Sequence, residues 1–150
     1  MTDKRTLRVV GGAIRRGELL LISQRRPIDS YPLHWEFPGG KVEPGETDEE
    51  ALARELREEL DVEVAVGTLV KRVLYEMETV VLDLRVYTCA LVSGVPRTVG
   101  VHAVRWVHLD AEQDGTRGLP FPPADEPILA QLRAEASRPQ DGSDDAAGPR

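Results

Sequence analysis

Cysteine is nearly missing from this chain of 150 residues, where Cys89 stands alone. One thiol closes no intrachain disulfide and builds no cysteine-zinc cluster, so a secreted disulfide scaffold is excluded and Cys89 is expected to pack. Positive charge is also short: 19 Lys and Arg against 26 Asp and Glu leave a net charge of −7. That balance argues against long duplex DNA or RNA as partner, because clustered basic residues supply most of such affinity. No apolar run approaches the roughly 20 residues of a membrane span. The opening MTDKRTLRVVGG has no apolar core of the kind a signal peptide needs, so the expected location is the cytoplasm.

What is present reads as an ordinary soluble domain, with 41% hydrophobic and 30% charged residues. A chain of this length buries about two thirds of its unfolded surface in one core. Residues 1–136 are expected to form that domain, and the polar tail SRPQDGSDDAAGPR at 137–150 to be disordered.

Leu7–Ile14 and Glu18–Gln24 read as two strands about the turn Arg15-Arg16-Gly17. RRPIDSYPLH at 25–34 is a loop that delivers two arginines, and Trp35–Pro38 is short and extended. Thr47–Leu60 is the clearest helix, opened by a capping box between Thr47 and Glu50. Val62–Val66, Thr68–Met77, Val80–Val92 and Ala103–His108 follow as strands of one mixed sheet, and a second helix runs from about Asp125 to Ala136. Strands around one strong helix, with a second near the end, predict an α/β sandwich with helices on both faces of a mixed sheet.

On a helical wheel Glu55, Glu58 and Glu59 share one face, beside a stripe of Leu52, Ala53, Leu56 and Leu60. Two readings stay open. A solvated helix accounts for Glu50 with Arg54 and for Arg54 with Glu58 as i,i+4 ion pairs. It does not account for the like-charged pair Glu55 and Glu59, which repel unless a cation lies between them. Hard oxygen ligands without His or Cys would suit Mg²⁺ or Mn²⁺ rather than zinc. Gly39-Gly40 before the helix is either a tight turn or a place where backbone approaches a ligand closely.

These residues resemble the Nudix hydrolase signature, G-x5-E-x7-R-E-U-x-E-E-x-G-U with U bulky and apolar. Gly40, Glu46, Arg54, Glu55, Leu56, Glu58, Glu59 and Val62 stand at the required spacings. Chance agreement at the six polar and glycine positions is on the order of 10⁻⁷ per window. The signature's second glycine is Asp61 here, a residue that tolerates the left-handed conformation of a helix end better than most. WEFPGGKVEPGET at 35–47 and FPPADEP at 121–127 extend the likeness to the MutT-like branch.

The resemblance implies an α/β/α sandwich and a metal-activated water that attacks the β-phosphorus of a nucleoside triphosphate, releasing monophosphate and pyrophosphate. It makes Glu55, Glu58 and Glu59 the metal and base set, completed by a carbonyl of Gly39 or Gly40. Arg54 orients Glu55 and Glu46, while Arg26, Glu36, Phe37 and Lys41 lie toward the nucleotide. Some relatives carry a further acid shortly before the residue matching Trp106; TVGVHAVRW has none, only His102 nearby. Asp125 stands where enzymes of oxidised guanine nucleotides place asparagine. As an acceptor it suits the exocyclic amine of cytosine, with 8-oxo-(d)GTP the rival if Asp125 is protonated. Its plainer role is a cap on the last helix. The expected partner is a small nucleotide, with no membrane, and the protein a monomer or homodimer. The alternatives are a non-catalytic nucleotide-binding module, or a hydrolase of other nucleoside diphosphate-linked compounds.

Overall fold

The computed structural model describes residues 4–137, so the expected tail beyond Ser137 lies outside the described residues. Seven strands and two helices follow one another as β1 (Arg5–Arg16), β2 (Leu19–Gln24), β3 (Trp35–Glu36), β4 (Gly39–Lys41), α1 (Asp48–Leu60), β5 (Glu63–Glu76), β6 (Val80–Ser93), β7 (Ala103–His108) and α2 (Glu126–Ala136). A 3₁₀ turn, Pro123–Asp125, leads into α2. Among these helices none is long and apolar enough to cross a membrane.

The sheet is mixed, as its sequence pattern requires. β1 and β6 run parallel from Arg5 opposite Val80 to Arg15 opposite Ala90. β1 also pairs antiparallel with β2 at its far end and with β4 at Val9–Gly11, and β2 carries β3 and β7. Period-two alternation sends neighbouring side chains to opposite faces. Leu21 therefore joins Val10, Ile14 and Cys89 under Leu52, Leu56 and Leu60 of α1. Leu20 and Ile22 join Leu84, Val86 and Val107 under Ile128, Leu129 and Leu132 of α2. Two cores on opposite faces make the expected α/β/α sandwich. Each fully buried leucine contributes roughly 1.5–3 kcal/mol to it.

Several local expectations change. The two strands placed at 62–66 and 68–77 are one strand, β5, with irregular register between Val66 and Leu69. Gly67 marks that bulge: a Cβ there would stand 2.5 Å from Thr88 Oγ1, which receives the Thr68 amide at 3.0 Å. Gly39-Gly40 is not a turn but strand β4, bonded to β1. On α1 the buried alanine is Ala51 rather than Ala53. Ala51 stands one turn before Glu55, on the side of the helix that meets β4.

Both ends of α1 are fixed. The Glu50 amide donates to Thr47 Oγ1 at 3.1 Å and the Thr47 amide to Glu50 Oε1 at 3.0 Å, completing the capping box. Glu50 is thereby drawn to the cap, and the expected Glu50–Arg54 pair is replaced by the bonds of Arg54 described below. Asp48, 7% exposed, accepts from Arg8 at 2.7 Å, Arg85 at 3.0 Å and the Tyr87 hydroxyl at 2.6 Å. This charged cluster pins the start of α1 to the β1–β6 pair. At the other end Asp61 takes φ 59°, ψ 45° and donates its amide to the Arg57 carbonyl, the left-handed cap expected of it.

Candidate active site

Arg54 is the hub of the α1 surface. Its Nε and Nη2 reach both oxygens of Glu46 at 2.6 and 2.9 Å, and Nη2 also reaches the Lys41 carbonyl at 3.0 Å. Nη1 donates to Glu55 at 3.1 Å and to Glu58 at 3.2 Å. A planar five-donor fork can hold the loop, β4 and two helix carboxylates at once, which a lysine could not. The Arg54 hydrogen bonds pull the Glu46 carboxyl down to about 2.

The Glu55 carboxyl lies against Gly40, where a Cβ would collide with it. Gly39 is equally constrained, since its Cβ would meet the Val10 carbonyl. Both glycines thus allow β4 to lie flat between β1 and the acidic face of α1. Burial raises Glu55, against the opposing pull of Arg54. Glu59, one turn on, faces Gly100, whose Cβ would stand 2.8 Å from Glu59 Oε1. Burial first, then the negative charges of Glu55 and Glu36, push Glu59 up to about 7.

Two spaces meet at Glu36 and Gly39. One is a polar cleft of about 180 Å³ bordered by Arg25, Arg26, Asp29, Glu59 and Gly100. The other is a cavity of about 310 Å³ with walls from Val9, Phe37, Tyr75, Met77, Leu84 and Pro122. Asp125 sits in that cavity, 8% exposed, and accepts the Phe37 amide at 3.3 Å through Oδ2. It makes no side-chain bond to the start of α2, so the capping role is excluded. Burial, then the nearby charge of Glu36, push the Asp125 carboxyl up to about 8. Burial therefore favours the protonated form of Asp125, in which the carboxyl offers an O–H donor beside a carbonyl acceptor.

The structure brings Glu36, Phe37, Gly39, Gly40, Lys41 and Asp125 around the larger cavity and Arg26 and Glu59 around the cleft. Glu46, Arg54, Glu55 and Glu58 form the hub beside them. The three box carboxylates are not gathered within 4.8 Å as a trio: Arg54 Nη1 bonds both Glu55 and Glu58, while Glu59 lies against Gly100. Arg26 is engaged with Asp29 at 3.3 Å. Arg25, singled out in sequence only as one of two loop arginines, ties the site: it donates to Glu36 at 2.8 Å and to the Ser30 carbonyl at 2.6 Å. The cavity walls Tyr75, in β5, and Met77, just after it, carry no sequence signal. In TVGVHAVRW, Gly100 rather than an acid closes on Glu59, and His102 is exposed.

Known proteins resemble this chain over most of its length. The NUDIX domain model matches residues 5–132. A protein of Escherichia coli named CTP pyrophosphohydrolase is 34% identical over 136 residues, 90% of this chain and 98% of that one. An Escherichia coli 8-oxo-dGTP diphosphatase is 32% identical over 128 residues, 85% of this chain and 96% of that one. Among solved structures, the solution structure of the E. coli ORF135 protein superposes with a TM-score of 0.76 at 33% identity, covering 92% of this chain and 96% of that chain. With its sandwich, its box helix and a match over most of its length, the chain belongs to the Nudix domain family.

Proposed function

We propose that this Nudix protein hydrolyses a nucleoside triphosphate to the monophosphate and pyrophosphate, with Mg²⁺ or Mn²⁺ as cofactor. Its preferred substrate is 8-oxo-(d)GTP, drawn from the cytoplasmic nucleotide pool. One observation carries the base assignment: Asp125 is buried in the wall of the larger cavity, where burial favours its protonated form. Ordinary guanine presents two acceptors, N7 and O6, on one edge, and a neutral acid satisfies only one of them. Oxidation at C8 puts a hydrogen on N7, so the same edge offers a donor beside an acceptor and matches Asp125 at both points. A buried polar group left unmatched costs about 1–3 kcal/mol, which is the scale of discrimination expected.

The cation's place is supported by the donor set. Glu55, Glu59 and the β4 carbonyls are all oxygen donors, and the unrelieved repulsion between Glu55 and Glu59 favours a small hard cation there. When bound, such an ion acidifies water and neutralises charge on the phosphate chain. Arg54 positions Glu55 and Glu58 and holds Glu46, while the apolar walls exclude water from the base side. Arg26 borders the cleft and supplies positive charge for the phosphates.

A second reading, cytosine or modified-cytosine triphosphates, rests on the same carboxyl, because cytosine sets its N4 donor beside the N3 acceptor. The two relatives carry names of both kinds. A panel of triphosphates turned over by wild type and Asp125→Ala separates them. The wild type is expected to prefer the oxidised over the ordinary guanine nucleotide by about one to two orders of magnitude, and the variant to lose that preference. Equal preference in both proteins contradicts the assignment of Asp125.

A further inference from the structure

We propose that Glu18, His108 and Asp110 form a second divalent-cation site, suited to Zn²⁺ rather than Mg²⁺, at the end of the sheet away from the Nudix box. One ligand atom from each of the three lies within 4.8 Å of the others. They come from separate segments: Glu18 from the turn after β1, His108 from the end of β7, Asp110 from the loop that follows. Leu19 pairs with His108 across β2 and β7, which sets Glu18 beside the strand end.

The chain around His108 and Asp110 is fixed by bonds that leave ligand atoms free. Asp110 Oδ1 accepts the amides of Glu112 at 3.1 Å and Gln113 at 2.9 Å, leaving Oδ2 without those donors. The Gly115 amide donates to the His108 carbonyl at 2.8 Å and closes the loop over the strand end. Buried Leu109 anchors the chain between the two ligands. His108 Nδ1 is buried without a hydrogen-bond partner, in a place where buried nitrogens are ordinarily satisfied. Arg16, the last residue of β1, is engaged over the Trp106 ring at 4.2 Å.

One imidazole nitrogen with two carboxylate oxygens is a borderline donor set. Three protein ligands and a water satisfy tetrahedral Zn²⁺, whereas the oxygen-only box suits Mg²⁺. β2 runs from this cluster toward the cleft, and its five residue steps put the two sites roughly 17 Å apart. The cation staples the β1–β2 turn to β7 and the loop after it, a structural role independent of hydrolysis.

The test is Zn²⁺ binding by equilibrium dialysis to the full chain, first stripped with chelator and then held in excess Mg²⁺. Wild type and Glu59→Gln should each retain one Zn²⁺ equivalent that Glu18→Gln and His108→Gln lose, with Glu18→Gln keeping its hydrolytic activity. Glu18 is exposed, so its variant folds even if His108→Gln does not. Absence of Zn²⁺ from wild type in Mg²⁺, or retention of the equivalent by Glu18→Gln, overturns the proposal.

Discussion

The Glu55 carboxylate fills the space that a side chain at Gly40 would need. The contact makes the glycine of β4 a condition for the position of the box carboxylate. Gly40→Ala should displace Glu55 and lower kcat by about 100-fold, the scale of an ångström-sized misplacement at a reacting centre. Thermal unfolding run alongside should show a much smaller loss, because the leucine stripe of α1 is untouched.

Arg54 bonds Glu46, Glu55 and Glu58 and lines neither the cavity nor the cleft. Arg54→Lys keeps the charge and loses the fork. Steady-state kinetics at several Mg²⁺ concentrations should show a fall of about 10- to 100-fold, with a weaker Mg²⁺ dependence, as for residues that orient ligands. An unchanged Mg²⁺ profile would place the role of Arg54 in folding alone.

Asp125 gives stability a pH dependence of definite sign. Its folded-state pKa, about 8, lies above the ordinary 3.8, so the folded chain binds the extra proton between those values. This contribution is fully present below pH 3.8, is lost as pH rises toward 8, and changes no further above it. Asp125→Asn has no such proton, so its stability relative to wild type should grow as pH rises from 5 to 8 in denaturant titrations. The variant should also hold oxidised-guanine turnover above pH 8, where the wild-type carboxyl loses its donor. A constant difference between the two proteins across that range would refute the neutral carboxyl.

Asp61 occupies a left-handed helix end at φ 59°. Asp61→Gly removes the strain and the Cβ while giving up only an exposed pair with Arg97 at 3.2 Å. Stability should rise by about 0.5–1 kcal/mol with activity unchanged, measured by chemical denaturation.

The elements with strong local codes were legible in the sequence. The capping box located the start of α1, the leucine spacing located its buried face, and alternation located the strands of a mixed sheet. What escaped depended on distant partners. Gly67 reads as a break and is a bulge, because the neighbouring strand supplies Thr88 to receive the next amide. Gly39-Gly40 reads as a turn and is a strand, because β1 supplies the bonds. Spacing placed the box glutamates on one face, yet the directions of their carboxylates follow Arg54 and Gly100, which no helical wheel includes. The upward shift of the Asp125 carboxyl likewise depends on burial by distant segments, which no local pattern encodes.

On the proposed function, the acidic face of α1, beside β4, drives cation-dependent release of pyrophosphate. Its most direct test is the product of 8-oxo-dGTP turnover, resolved as pyrophosphate or orthophosphate, with and without Mg²⁺, for wild type and Glu59→Gln. Wild type should release monophosphate and pyrophosphate only when Mg²⁺ is added, and Glu59→Gln should lose at least about 100-fold of that rate. Near-normal Mg²⁺-dependent turnover by Glu59→Gln, or orthophosphate as the first product of wild type, would contradict the account.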